Sequence, residues 1–175
     1  MRPRADADLV RLARKGSRDA AAELFERHWG GAWRAAYGVT GSRATADDVA
    51  QDAFERAFAA LSRFDERRPF AAWLHRIVVN RALDLLRSER RLVGGDLAYE
   101  LGEAHDLPPG DRELLEAVAG LPVQRRVVVV LRYGLGFSPS VIAELLAVPV
   151  GTVNSRLARA LEQLRQEEVN GVERA

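Results

Sequence analysis

Residues 149–165 read Pro149-Val-Gly-Thr-Val-Asn-Ser-Arg-Leu-Ala-Arg-Ala-Leu-Glu-Gln-Leu-Arg165. Val153, Leu157, Leu161 and Leu164 recur at helical spacing, while Thr152, Asn154, Ser155, Arg156, Arg159 and Gln163 fall largely on the opposite side. One face is built to pack and the other to meet a polar partner such as DNA. A second amphipathic segment, Ser138 to Leu146, lies just upstream, separated only by Ala147, Val148 and Pro149. That connection length predicts a helix-turn-helix. Ser138 followed by Pro139 supplies a cap and a first helical position.

Upstream of this unit the segment from Asp111 reads as short helices. Arg112 to Ala119 carries Leu114, Leu115 and Val118, Gly120-Leu-Pro122 breaks it, and Val123 to Tyr133 follows. The run Val127-Val-Val-Val-Leu131 is rich in β-branched residues, which favour strands. A solitary strand would have no partner among helices, so helix is expected here as well.

Gly94 to Asp111 changes character: three glycines and two prolines lie among acids Asp96, Glu100, Glu103 and Asp106, with little periodicity, before Gly110 and Asp111 close it. It reads as a flexible linker, residues 94–111, between a domain at 1–93 and one at 112–175. His105 in it has no metal-ligand neighbours at useful spacing.

The first domain is also helical by pattern. Asp6 or Asp8 can cap a short helix that stops at Gly16, and Ser17 can cap a longer one. Leu24, Phe25, His28, Trp29, Trp33 and Tyr37 form a broad apolar stripe on that second helix, which core packing explains. Thr45-Ala-Asp-Asp48 resembles a capping box opening a third helix to about Leu61. Its inner face is Val49, Ala53, Phe54, Ala57 and Leu61, leaving Asp47, Asp48, Gln51, Asp52 and Glu55 as an acidic outer strip. After a polar loop holding Phe64, Pro69 opens a fourth helix, Phe70 to about Arg91. Between Arg63 and Arg91, eight arginines stand against four acids, a local charge of +4. Cations interleaved with Phe64, Phe70 and Trp73 suit single-stranded nucleic acid, although a solvated basic helix covering a core would carry the same composition.

Composition bounds the rest. The 175 residues are 47% hydrophobic, enough for real cores, and the net charge of +1 conceals the segregation just described. There is no cysteine, which rules out disulfides and thiolate metal sites. The start lacks an apolar signal core, and the longest strongly apolar run, Val127 to Leu131, is too short to span a bilayer, so a cytoplasmic protein without membrane insertion is expected.

Four stretches together resemble the extracytoplasmic-function (ECF) group of bacterial RNA polymerase sigma factors. They are Asp47-Asp-Val-Ala-Gln-Asp-Ala-Phe54, Pro69-Phe-Ala-Ala-Trp-Leu-His-Arg-Ile-Val-Val-Asn80, Leu121-Pro-Val-Gln-Arg-Arg126 and Gly151-Thr-Val-Asn-Ser-Arg-Leu-Ala-Arg-Ala160. The resemblance implies an all-α protein with two small helical domains, sigma region 2 and a region 4 helix-turn-helix. It implies that Asp47, Asp48, Val49, Gln51, Asp52 and Phe54 belong to the surface that docks on the β′ clamp helices of core polymerase, with a further contact to the β flap. By the same resemblance Phe64, Arg67, Arg68, Trp73, Arg76, Asn80, Arg81, Asp84 and Arg87 engage the promoter's single-stranded minus-ten element, with Arg90 and Arg91 as further phosphate ligands. Thr152, Asn154, Ser155, Arg156 and Arg159 would meet the duplex minus-thirty-five element, seconded by Arg125, Arg126 and Arg132. An anti-sigma partner is part of the expectation; a cofactor or metal is not. Ala147 stands where many relatives carry Gly, so the turn needs either ordinary backbone there or left-handed strain.

Two other function classes compete. A stand-alone helix-turn-helix regulator of duplex operators would explain the last domain but not the basic, aromatic helix at 69–91. A small helical enzyme lacks support, because the three histidines are scattered and no nucleophile-base or phosphate-loop spacing occurs.

Overall fold

The computed structural model describes residues 4–93 and 116–172, with side chains described for 4–88 and 116–166. The expected linker 94–111, His105 and residues 112–115 lie outside the described residues, as do the side chains of Arg90 and Arg91. Among the described residues every regular element is helical. The chain divides into two units, the second of which takes in Tyr37–Arg43 at the end of the second helix.

In the first unit α1 spans Asp6–Arg14. Ala5 is its N-cap and makes no side-chain cap bond, so Asp6 and Asp8 stand inside the first turn instead of capping it. There they complement the helix dipole, as Arg11 and Arg14 do in the last turn. Gly16, at φ +90, turns the chain in a region closed to other residues without strain. Ser17 then accepts the Ala20 N–H at 3.3 Å and starts α2, Arg18–Thr40. Helix α3, Arg43–Ala59, begins two residues before the expected cap at Thr45, which therefore lies within its first turn. A 3-10 turn at Leu61–Arg63 leads through the 64–69 loop to α4, Phe70–Val93. Leu24, Val49, Phe54, Phe70, Leu74 and Val78 are all buried to 2% exposure or less. Burial of such side chains stabilises a fold by roughly 1.5–3 kcal/mol each, against the entropy of ordering them.

In the second unit residues 116–119 are helical and α5 spans Val123–Val129, so the β-branched run is helix. It continues as a π turn, Val130–Gly134, in which Leu135 N–H reaches the Val130 carbonyl at 3.0 Å. The wider turn lets the chain leave a helix whose last residues, Val130 and Leu131, stay buried. Helix α6 is Pro139–Leu146, capped by Ser138, whose Oγ accepts from Val141 N at 3.4 Å. Ala147 takes the left-handed conformation, φ 54 and ψ 46, which resolves the turn in favour of strain. Val148 N–H bonds the Ala143 carbonyl at 3.1 Å and closes the C-terminal cap. Helix α7, Val150–Val172, then leaves at 107° to α6, the crossing of a helix-turn-helix. Val128, Leu131, Ile142, Val153 and Ala160 form the buried centre of this unit. No single described helix is long and apolar enough to cross a membrane.

Candidate nucleic-acid interface

The 64–69 loop and α4 are organised by aromatic rings. Phe64 meets Phe70 edge-on, 82° between planes at 5.7 Å, and lies 4.9 Å from Trp73. Phe70 in turn contacts Trp73 at 5.8 Å and His28 at 5.2 Å. Phe64 is therefore buried, at 5% exposure, whereas Trp73 remains half-buried. Phe64 and Phe70 form part of an open cavity of about 270 Å³, rimmed by Asp6, Glu66, Arg67 and Arg68. The loop is shaped by Asp65, whose Oδ1 accepts the Arg67 N–H at 3.0 Å, leaving Arg67 and Arg68 exposed.

Along α4, residues 73, 76, 80, 84 and 87 follow helical spacing and so share one stripe. Asn80, Asp84 and Arg87 are exposed on it and Arg76 is half-buried. Arg87 pairs with Asp84 at 3.2 Å. Arg81 is placed apart: its Nε bonds Asp52 of α3, which also accepts from Arg56 at 2.9 Å. The hydrogen bond from Arg56, joined by that from Arg81, holds the Asp52 carboxyl below its ordinary value.

The acidic strip on α3 is thereby divided. Trp33 of α2 donates its indole N–H to Asp47 at 2.6 Å, and Asp52 is tied to two arginines. Asp48, Gln51 and Glu55 are exposed, with Gln51 donating to Glu55 at 3.3 Å. Val49 and Phe54 are core residues, at 1% and 2% exposure. Phe54 nevertheless adjoins the half-open rings of Phe25, at 4.7 Å, and Phe58, at 5.9 Å.

In the second unit Asn154, Ser155 and Arg159 are exposed on the first turns of α7, and Thr152 and Arg156 are half-buried. Ser155 Oγ donates to the Thr152 carbonyl at 3.0 Å, which orders that edge. The three arginines expected to second them, Arg125, Arg126 and Arg132, are engaged within the unit. Arg125 bonds Gln163 at 2.9 Å, Arg132 bonds the Phe137 carbonyl at 3.2 Å, and Arg126 is 2% exposed and donates to the Ala119 carbonyl at 2.9 Å.

Two features escaped the sequence reading. Arg14 of α1 sends its guanidinium into the 61–66 segment, and burial lowers the pKa of His75 of α4 below its ordinary value, with His28 and Arg34 adding to the effect. Neither had a signal in sequence, because the partners are distant along the chain or are backbone carbonyls. Among the described residues no group of three or more His, Cys, Asp or Glu side chains could hold a metal ion.

The family model for Sigma-70 region 2 matches residues 24–92, and that for Sigma-70, region 4, matches residues 111–164. The ECF RNA polymerase sigma factor SigW of Bacillus subtilis is 30% identical over 175 residues, covering 90% of this chain and 94% of that protein. The RNA polymerase sigma factor CnrH of Cupriavidus metallidurans is 35% identical over 176 residues, covering 91% and 92%. The solved structure of CnrH in complex with the cytosolic domain of CnrY matches with a TM-score of 0.62 at 29% identity, over 95% of this chain and 99% of that one. The sigma factor RpoE of Bartonella quintana, solved with the anti-sigma factor NepR, shares the fold with a TM-score of 0.64 at 22% identity, over 83% and 94%. These likenesses favour the sigma reading over a stand-alone regulator. The chain belongs to the ECF group of RNA polymerase sigma factors.

Proposed function

We propose that this sigma factor divides its work among three surfaces: α3 docks on core RNA polymerase, the 64–69 loop with α4 captures the opened minus-ten element, and α7 reads the duplex minus-thirty-five element. The observation that carries the proposal is the stripe of Trp73, Arg76, Asn80, Asp84 and Arg87 beside an aromatic cavity with exposed Arg67 and Arg68 at its rim. Taking a base out of the stack costs a few kcal/mol, which stacking on aromatic surface and phosphate contacts with arginines offset. Asn80 can hydrogen-bond a base edge, and the neighbouring arginines neutralise phosphates.

On α3 the exposed Asp48, Gln51 and Glu55 offer a polar, acidic rim beside the half-open aromatic rings of Phe25 and Phe58. An acidic rim around apolar surface suits a basic helical partner such as the β′ clamp helices. In the second unit Asn154, Ser155 and Arg159 reach outward, and Arg156 lies one helical turn from Thr152. The protein acts as a cytoplasmic initiation factor without catalysis of its own. Control by an anti-sigma partner is proposed from CnrH, which was solved with the cytosolic domain of CnrY.

Asn80→Ala tests the division of labour. The expected variant keeps its affinity for core polymerase and loses promoter opening, read by permanganate reactivity of unpaired thymines. Equal loss of both would contradict a base-reading role for Asn80.

A further inference from the structure

The 61–66 segment that leads into the minus-ten loop is held from outside by one side chain. Arg14, in the last turn of α1, donates Nε to the Leu61 carbonyl at 2.8 Å, Nη2 to the Phe64 carbonyl and Nη1 to the Glu66 carboxylate. All three guanidinium nitrogens are used, on acceptors 47, 50 and 52 residues away in sequence. Arg11, one turn earlier, adds a distant contact to Glu66 at 3.9 Å. The Arg14 side chain is only 25% exposed. A guanidinium is a planar fork of five donors, so a three-way bond fixes both the place and the tilt of what it holds.

Two of the acceptors are carbonyls, that of Leu61 at the start of the 3-10 turn and that of Phe64 just after it, and Phe64 is the residue whose ring packs on Phe70 and Trp73. Asp6 and Ala7 of the same helix line the cavity between this loop and the start of α4. Helix α1 thus braces the loop at one end and forms a wall at the other. It also lies outside the residues matched by the Sigma-70 region 2 family model, which start at residue 24.

We infer that Arg14 is a positioning residue for minus-ten recognition: it fixes the loop backbone so that Phe64, Arg67 and Arg68 present a preformed cavity to the displaced strand. The inference rests on the reading of this loop as part of the minus-ten site. A preorganised loop does not lose ordering entropy when the strand binds. A phosphate anchor would instead leave its donors free for DNA, and a lysine could replace it.

The test uses the full chain and the holoenzyme, with Arg14→Ala and Arg14→Lys. Trypsin cleavage after Arg63 and Arg67 reports loop order without DNA, since the Arg68–Pro69 bond is resistant. Both variants should be cut about tenfold faster, as loss of charge-assisted bonds of this kind implies. In holoenzyme, both should lose about tenfold in discrimination between matched and scrambled single-stranded minus-ten oligonucleotides, with core affinity unchanged. Unchanged cleavage, unchanged discrimination, or rescue by lysine would each overturn the inference. A wild-type holoenzyme with no preference between the oligonucleotides would instead remove the minus-ten reading itself, and the inference with it. Should Arg14→Ala fail to fold, Glu66→Gln carries the test, with about threefold faster cleavage expected from weakening one of three contacts.

Discussion

The indole N–H of Trp33 on α2 donates to the carboxylate of Asp47 on α3 at 2.6 Å. Trp33 is 9% exposed, so this bond gives a nearly buried donor its partner. Asp47 and its neighbour Asp48 therefore differ in kind although they adjoin in sequence. Asp47→Ala should lower the stability of the first unit by about 1 kcal/mol in urea unfolding, because it removes that hydrogen bond. Asp48→Ala should leave stability within about 0.5 kcal/mol and weaken core polymerase binding. Equal stability for the two variants would contradict the distinction.

Asp52 ties α3 to α4 through Arg81 and to its own helix through Arg56. Its side chain is 30% exposed, so solvent screening limits what these two ion pairs contribute. The carboxyl is held below its ordinary value of 3.8, chiefly by the Arg56 hydrogen bond. Its contribution is present above that value and disappears as pH falls through the lower, folded value. Asp52→Asn should therefore be less stable than wild type near neutrality and converge with it in acid. Parallel stability curves down to the acid limb would count against the tie.

His75 titrates with the same sign by a different cause. Burial, with help from His28 and Arg34, lowers its pKa from the ordinary 6.5, so the folded state keeps the ring neutral where the unfolded chain protonates. Stability attributable to this group is intact above 6.5 and declines as pH falls from there toward the folded value. Urea midpoints between pH 7 and 5 should fall less in His75→Gln than in wild type. An unchanged slope would show that the burial of His75 does not couple to folding.

Much of this architecture was legible in local pattern, and what was not is physically instructive. Ser17 and Ser138 were readable as caps because a cap is a local event, and both accept the N–H three residues on. The helix-turn-helix was readable because its two amphipathic stripes are separated by three residues. Thr45 misled, since Arg43 opens α3 and a capping-box spacing also occurs inside a first turn. The π turn at Val130–Gly134 had no composition of its own. In the candidate interface the acids of α3 looked equivalent, and only packing shows that Asp47 and Asp52 have partners on α2 and α4. Phe64 was readable with Phe70 and Trp73 as an aromatic among cations, but that its ring is packed against both of theirs is a matter of packing alone. The clamp by Arg14 uses two backbone carbonyls, which carry no residue identity to read.

On α7, Arg156 is half-buried and Arg159 is exposed. Arg156→Ala should cost about 1–3 kcal/mol at a promoter with the preferred upstream element and much less at one with that element scrambled, if the side chain bonds a guanine edge bidentately. Competition binding of holoenzyme to the two promoters measures this. A uniform loss across both would make Arg156 a phosphate anchor.

The most direct test of the account is reconstitution of the purified chain with core RNA polymerase on a library of promoter sequences, read by transcript start mapping together with permanganate footprinting. Transcripts should depend on the added chain and share two spaced elements, with unpaired thymines confined to the downstream one. Tight duplex binding by the chain alone, with no core association and no promoter-dependent transcripts, would contradict it.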